Sequence, residues 1–159
     1  TFLEYKDYNL FKKNDFMKYA IKEAFKALKK KEVPVGAVII DDQDKIIARG
    51  HNLIETKNNA TNHAEKIVIE KALKLKKTRY LNNCDLWVTL KPCEMCLGII
   101  KLVRIKRLFY GADFQQVNTI CKNENNFSQY RTNSKLEIYP GLSEEKCKNL
   151  LKSFFKDLR

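Results

Sequence analysis

Residues 85–112 read DLWVTLKPCEMCLGIIKLVRIKRLFYGA, two apolar runs around a short segment that opens Pro-Cys. Asp85 to Leu90 has the length and β-branched or aromatic character of a strand, and it must stop at Pro92. A helix is expected to open at Cys93 and run to about Leu102. Arg104 to Ala112 reads as the next strand, ending near Gly111. Strand, helix and strand in this order form a βαβ unit with a right-handed crossover, the mark of a parallel sheet covered by helices.

Working outward, Val33 to Asp41 reads VPVGAVIID, an almost wholly apolar run, and DDQD separates it from IIARGHN, so two strands joined by a tight turn are expected. Upstream, Met17, Ile21, Ala24 and Leu28 fall at helical spacing after Asn14, a candidate N-cap. From Asn62 to about Lys77, Ile67, Ile69, Ala72 and Leu73 mix with lysines as in a helix covering a sheet. Downstream, Lys135 to Tyr139 suggests a last strand. Pro140-Gly141 then turns the chain into a helix capped by Ser143, with Cys147, Leu150, Leu151, Phe154, Phe155 and Leu158 as its apolar stripe. The polar stretch Asp113 to Tyr130 carries no clear pattern. The sum is a single α/β domain over residues 1–159, a three-layer α/β/α sandwich on a mixed five-stranded sheet. Residues 1–13 read as a loosely ordered N-terminal extension.

With 159 residues, 44% of them hydrophobic, and only 5 Gly and 3 Pro, the chain can bury a core without staples. That excludes a disordered, collagen-like or disulfide-built protein. Five cysteines are an odd number, and two are already committed to a Cys-x-x-Cys pair, which favours a reducing compartment. The opening TFLEYKDYNLFKKND mixes charged and apolar residues, and no later stretch approaches a membrane span. The chain starts at Thr1 rather than Met, so a short upstream piece is expected to be missing. A cytoplasmic protein is expected. Lys and Arg number 31 against 19 Asp and Glu, a net charge of +12. This favours a polyanionic partner, nucleic acid first, because each neutralised phosphate releases counterions. A lysine- and asparagine-rich genome would produce the same excess.

The residues that carry chemistry are His63-Ala64-Glu65 and Pro92-Cys93-Glu94-Met95-Cys96. His-x-Glu followed by Pro-Cys-x-x-Cys is the signature of zinc nucleobase deaminases. Cys93 and Cys96 share the first turn of one helix, whose N-terminus favours thiolates, and both are soft ligands suited to zinc. His63 opens another helix and can bring a third ligand from a facing helix end. Three protein ligands leave one tetrahedral position open for catalysis. Two thiolates and a neutral imidazole make an uncharged shell that acidifies water less than three histidines do, so a base is needed, and Glu65 lies two residues from the ligand. An incomplete structural zinc site or a redox pair would also use Cys93 and Cys96, but neither needs Glu65 there. His51, the other histidine, ends a strand without metal duty. Cys84, Cys121 and Cys147 lack paired spacing, and Cys147 reads as packing.

Across most of its length the chain resembles the bacterial tRNA-specific adenosine deaminase family, within the cytidine-deaminase-like superfamily. The resemblance rests on EVPVGAVII, on Asn52 eleven residues before the metal histidine, and on NHAE, LWVTLKPCEMC, YGAD and the closing SFFKDLR. It implies a cytidine-deaminase-like fold, one Zn2+ per subunit, and hydrolysis of wobble adenosine to inosine in a tRNA anticodon stem-loop. It further implies a homodimer whose subunits both present basic surface to RNA. Asn52 matches the family asparagine that hydrogen-bonds the target nucleoside, and the Ala64 backbone amide is a candidate contact to its ring. On the last helix Lys148, Lys152, Lys156 and Arg159, beside Phe154 and Phe155, suit phosphates and stacking. Solvated lysines outside core phenylalanines would look the same.

Two departures stand out. The family usually has Glu before Pro-Cys, where this chain has Lys91. After the fourth strand the family shows two polar residues and a glycine-bearing loop, whereas this chain reads Asp113-Phe114-Gln115-Gln116 with no glycine until Gly141. A deaminase of free cytosine or guanine on the same fold is the alternative activity. A non-catalytic zinc-stabilised RNA-binding subunit is the alternative of another kind, and it would have no use for Glu65.

Overall fold

The computed structural model describes residues 3–8, 14–113 and 135–158. The elements run β1 (Leu3–Tyr5), α1 (Met17–Lys29), β2 (Gly36–Ile40), β3 (Ile46–His51), α2 (Ala64–Lys76), β4 (Asp85–Leu90), α3 (Glu94–Leu102), β5 (Arg107–Ala112), β6 (Leu136–Tyr139) and α4 (Glu144–Asp157). They build one mixed sheet in the order β1-β6-β5-β4-β2-β3. β2 runs antiparallel to both neighbours, and the remaining pairs are parallel.

The expected three-layer α/β/α architecture is present with one strand more than the five anticipated. The sixth is β1, which pairs with β6 from Leu3↔Leu136 to Tyr5↔Ile138. It lies within the segment read as a loose extension. Three residues are too few to show alternation, and Glu4 gains its anchors only in the fold, from Lys135 at 2.6 Å and Lys6 at 3.7 Å. The polar stretch from Phe114 to Tyr130, together with Cys121 and Arg159, lies outside the described residues.

Alternation along the strands divides the core between two faces. Ala37, Ile39, Leu86, Val88, Leu108 and Tyr110 pack under α2 and α3 with Ala64, Val68, Ile69 and Ile100. Val38, Ile40, Trp87, Phe109 and Tyr139 face α1 and α4 with Met17, Ala20, Cys147 and Leu151. This double covering is why the strands read as nearly unbroken apolar runs rather than alternating ones. On the second face the register aligns Trp87 with Phe109 and Phe109 with Tyr139, and the rings stack with centroids 4.0 and 4.6 Å apart. Each such pair contributes about 0.5–1.5 kcal/mol beyond its area.

Two glycines set how closely helices approach. A Cβ on Gly36 would strike the α1 backbone at Ala20 and Ala24, and one on Gly111 would strike Cys147 of α4. Cys147 is therefore packing, as read from sequence. α1 begins two residues later than a cap at Asn14 requires, with Phe16 as its N-cap, and the carboxylate of Asp15, not Asn14, accepts from Met17 N at 2.8 Å. Ser143 does precede α4, but in left-handed conformation at φ 52 and without a side-chain cap bond. Among the described residues no helix is long and apolar enough to cross a membrane.

Candidate active site

α2 and α3 start at the same end of the sheet. β4 ends at Leu90, Pro92 stops it, and Cys93 is the N-cap of α3 in extended conformation. His63 is the N-cap of α2 in the same way. Two helix N-termini therefore meet at the site, and their dipoles make a field that favours anionic ligands. His63 Nδ1 lies 3.6 Å from Cys93 Sγ and 3.5 Å from Cys96 Sγ, and the three ligand atoms all fall within 4.8 Å of one another. With Zn–S near 2.3 Å and Zn–N near 2.0–2.1 Å, a tetrahedral site has an N···S edge of about 3.5–3.6 Å. Both N···S distances match those of a single tetrahedral zinc ion. Cys96 is buried while His63 and Cys93 are partly open.

Proton affinities within the cluster diverge. A hydrogen bond from Cys96 holds the Cys93 thiol down to about 4 against its burial, with further help from His63. The same Cys93 sulfur and burial push the Cys96 thiol up. His63 is raised, chiefly by its bond to Cys93. Glu65, second residue of α2 and 4% exposed, is pushed up to about 7, mainly by loss of solvent. It is a carboxyl that trades a proton near neutrality, beside ligands that a metal deprotonates.

Asn52 and Ala64, twelve residues apart in sequence, meet at this site. Asn52 N donates to Val35 O at 3.1 Å, prolonging the β2–β3 ladder past its end. Its side-chain oxygen accepts from Ala64 N at 2.9 Å. Asn52 thus caps the first N–H of α2 from a distance, and its amide nitrogen remains as a donor. Lys91 and Asp113, both at positions where the chain departs from its resemblance, face each other at 3.5 Å and are each about one-third exposed.

Residues 11–112 match the model of the cytidine and deoxycytidylate deaminase zinc-binding region. The chain belongs to this family. Its curated relatives put this deaminase in the tRNA-specific adenosine deaminase branch. It is 44% identical over 144 residues to the tRNA-specific adenosine deaminase of Rickettsia felis, covering 90% of this chain and all of that one. With the Bacillus subtilis enzyme of the same name it shares 42% identity, covering 91% and 89%. A structure solved in biochemical and structural studies of A-to-I editing by tRNA:A34 deaminases at the wobble position of transfer RNA superimposes with a TM-score of 0.75. It is 37% identical, over 86% of this chain and 98% of that one. Guanine deaminase from Bacillus subtilis superimposes with a TM-score of 0.60 at 38% identity, over 64% and 65% of the two chains.

Of the remaining sequence candidates, Lys148, Lys152, Phe155 and Lys156 lie on α4. Lys148 is occupied by Glu144 at 2.7 Å. Lys152 and Lys156 are exposed. Phe155 packs partly against the core beside Phe154, and Arg159 lies outside the described residues. His51 ends β3 outside the ligand cluster, as expected. Sequence reading passed over Glu23 and Lys30, which hold His51 from α1 and the residue after it. The available signal was a glutamate set among Ala20, Ala24 and Ala27 on the buried face of α1.

Proposed function

We propose that this chain hydrolyses wobble adenosine to inosine in a tRNA anticodon, with His63, Cys93 and Cys96 as zinc ligands and Glu65 as the proton carrier. The reading is carried by one conjunction. A zinc-competent ligand trio, with a buried glutamate on the helix turn that His63 opens, occurs in a chain similar over 90% of its length to a tRNA-specific adenosine deaminase. Zinc, when bound, acidifies water and so supplies the nucleophile of a hydrolytic deamination.

The chain's own residues do the rest. Glu65 accepts a proton released from water and passes it to N1 of adenine. It then helps a proton reach the departing amine, so the C6–O bond forms, the C6–N bond breaks and ammonia leaves. Its burial keeps bulk water from competing for that proton. Asn52 offers its amide nitrogen to the nucleoside while its oxygen holds the Ala64 amide. Lys152 and Lys156 on α4 meet RNA phosphates, with Lys148 and Phe155 as further contacts on the same helix and Arg159 as a further contact from the sequence that follows it.

The reading includes a cytoplasmic, single-domain protein with one zinc per subunit, and a homodimer. Dimerisation is supported by Met95 and Leu102, 38% and 51% exposed on α3, with partly buried Leu97 and Ile99 beside them. Likeness to guanine deaminase over 64% of the chain supports the second reading, a free-base deaminase. Incubation with an anticodon stem-loop bearing wobble adenosine, and separately with guanine and cytosine, distinguishes them by mass spectrometry of the products. Inosine formed only from RNA is the expected result. Xanthine or uracil from the free bases would reverse the assignment.

A further inference from the structure

Outside the ligand cluster, the described interior holds one compact group of ionisable side chains that touches a residue of the site. Gly36 lets α1 lie directly on β2, and Gly36 is the register partner of His51 on β3. This brings Glu23, buried to 4% exposure, onto the end of β3. Glu23 Oε2 lies 3.0 Å from His51 Nδ1, and Glu23 Oε1 is held by Lys26 at 2.7 Å. On the other side of the imidazole, Nε2 lies 3.2 Å from Lys30 Nζ.

An ammonium has only donors, so Nε2 must offer its lone pair, and the single ring proton sits on Nδ1, donated to Glu23. A ring that donates from Nδ1 to Glu23 and accepts at Nε2 from Lys30 satisfies both contacts, clamped from both edges by α1 and the residue that follows it. The next residue is Asn52. Its amide oxygen holds the N–H of Ala64, between the ligand His63 and Glu65.

We propose that His51 is a positioning residue. Its clamp between Glu23 and Lys30 fixes Asn52 against the start of α2, and so sets how tightly the target nucleoside is held. This rests on the reading above that Asn52 contacts the nucleoside. A ring that merely filled space at the end of β3 would need neither partner, and burying a carboxylate to meet it would only cost desolvation.

The test uses zinc-loaded full-length protein and an anticodon stem-loop with wobble adenosine. His51→Phe keeps a ring and removes both hydrogen bonds. KM should rise about tenfold, the worth of one charge-assisted hydrogen bond, with kcat within about twofold. His51→Asn can still donate to Glu23 and should recover most of the loss. Lys30→Met, at an exposed position that leaves folding intact, should raise KM about two- to threefold. Nitrogen NMR of the wild type should show Nδ1 protonated and Nε2 bare. A purely structural role would lower the melting temperature or the active fraction, and hence kcat, with KM unmoved, and that pattern overturns the proposal. A ring protonated on Nε2 overturns it as well. Asn52→Ala separates the two levels. If it leaves KM unchanged, the assignment of Asn52 fails. If it raises KM while His51→Phe and Lys30→Met do not, the positioning role alone fails.

Discussion

The paired starts of α2 and α3 and the outer half of α4 both carry ionisable groups near helix ends, but they differ in what those groups touch. At the first, His63, Cys93, Cys96 and Glu65 are partly or wholly withdrawn from water and shift one another's proton affinities strongly. At the second, Lys152 and Lys156 stand in solvent, and Lys148 leans on Glu144 one turn away. Charges that face each other in low dielectric are coupled, so changing one disturbs them all, whereas charges in water act singly and through salt-screened fields. The first region should therefore respond to single substitutions by collapse of function, and the second only by graded loss.

The largest break expected is Cys93→Ala. Removing one of three ligands should drop zinc below stoichiometry by elemental analysis and abolish deamination, and a variant that keeps both would dissolve the ligand assignment. Glu65→Ala comes next. It should keep one zinc per chain while kcat falls about 10²–10⁴-fold or more, and activity within a few-fold of wild type would reject its role as proton carrier. On α4 the paired change Lys152→Gln with Lys156→Gln should leave kcat intact. It should raise KM several-fold and make the salt slope of stem-loop binding shallower by about 0.7 for each phosphate no longer neutralised, the single-strand value. An unchanged slope would remove α4 from the RNA-binding surface.

Lys91 lies between the two regions, next to the metal helix yet paired with Asp113 at the surface. An exposed pair of this kind is worth about 0–1 kcal/mol, so Lys91→Glu should shift the unfolding midpoint in denaturant only slightly. A large loss of zinc in that variant would show that the pair belongs to the first region.

Legibility in the sequence followed the same divide. The ligand trio could be read because each residue sits at a helix start announced by local chemistry. Pro92 ends a strand before Cys93, and the spacing of Cys93 and Cys96 already places both on one turn. The sandwich could be read because strands covered on both faces are apolar throughout. What escaped were interactions made only when distant segments meet. Glu23 stands among the alanines of α1, but its partner is fixed only when Gly36 admits α1 against the sheet and puts the carboxylate beside His51. The bond from Ala64 N to Asn52 has no sequence signal, since a helix is ordinarily capped by its own neighbour. β1 was missed because three residues with one leucine carry no period.

The aromatic stack has a practical corollary. The chain contains a single tryptophan, Trp87, pressed flat on Phe109 on the sheet face that looks toward α1 and α4. The zinc ligands belong to helices on the opposite face. Its emission is therefore a reporter of one side of the molecule. Chelating the metal should leave it quiet if the disturbance stays local, and any spectral change on chelation would mark strain that has crossed the sheet.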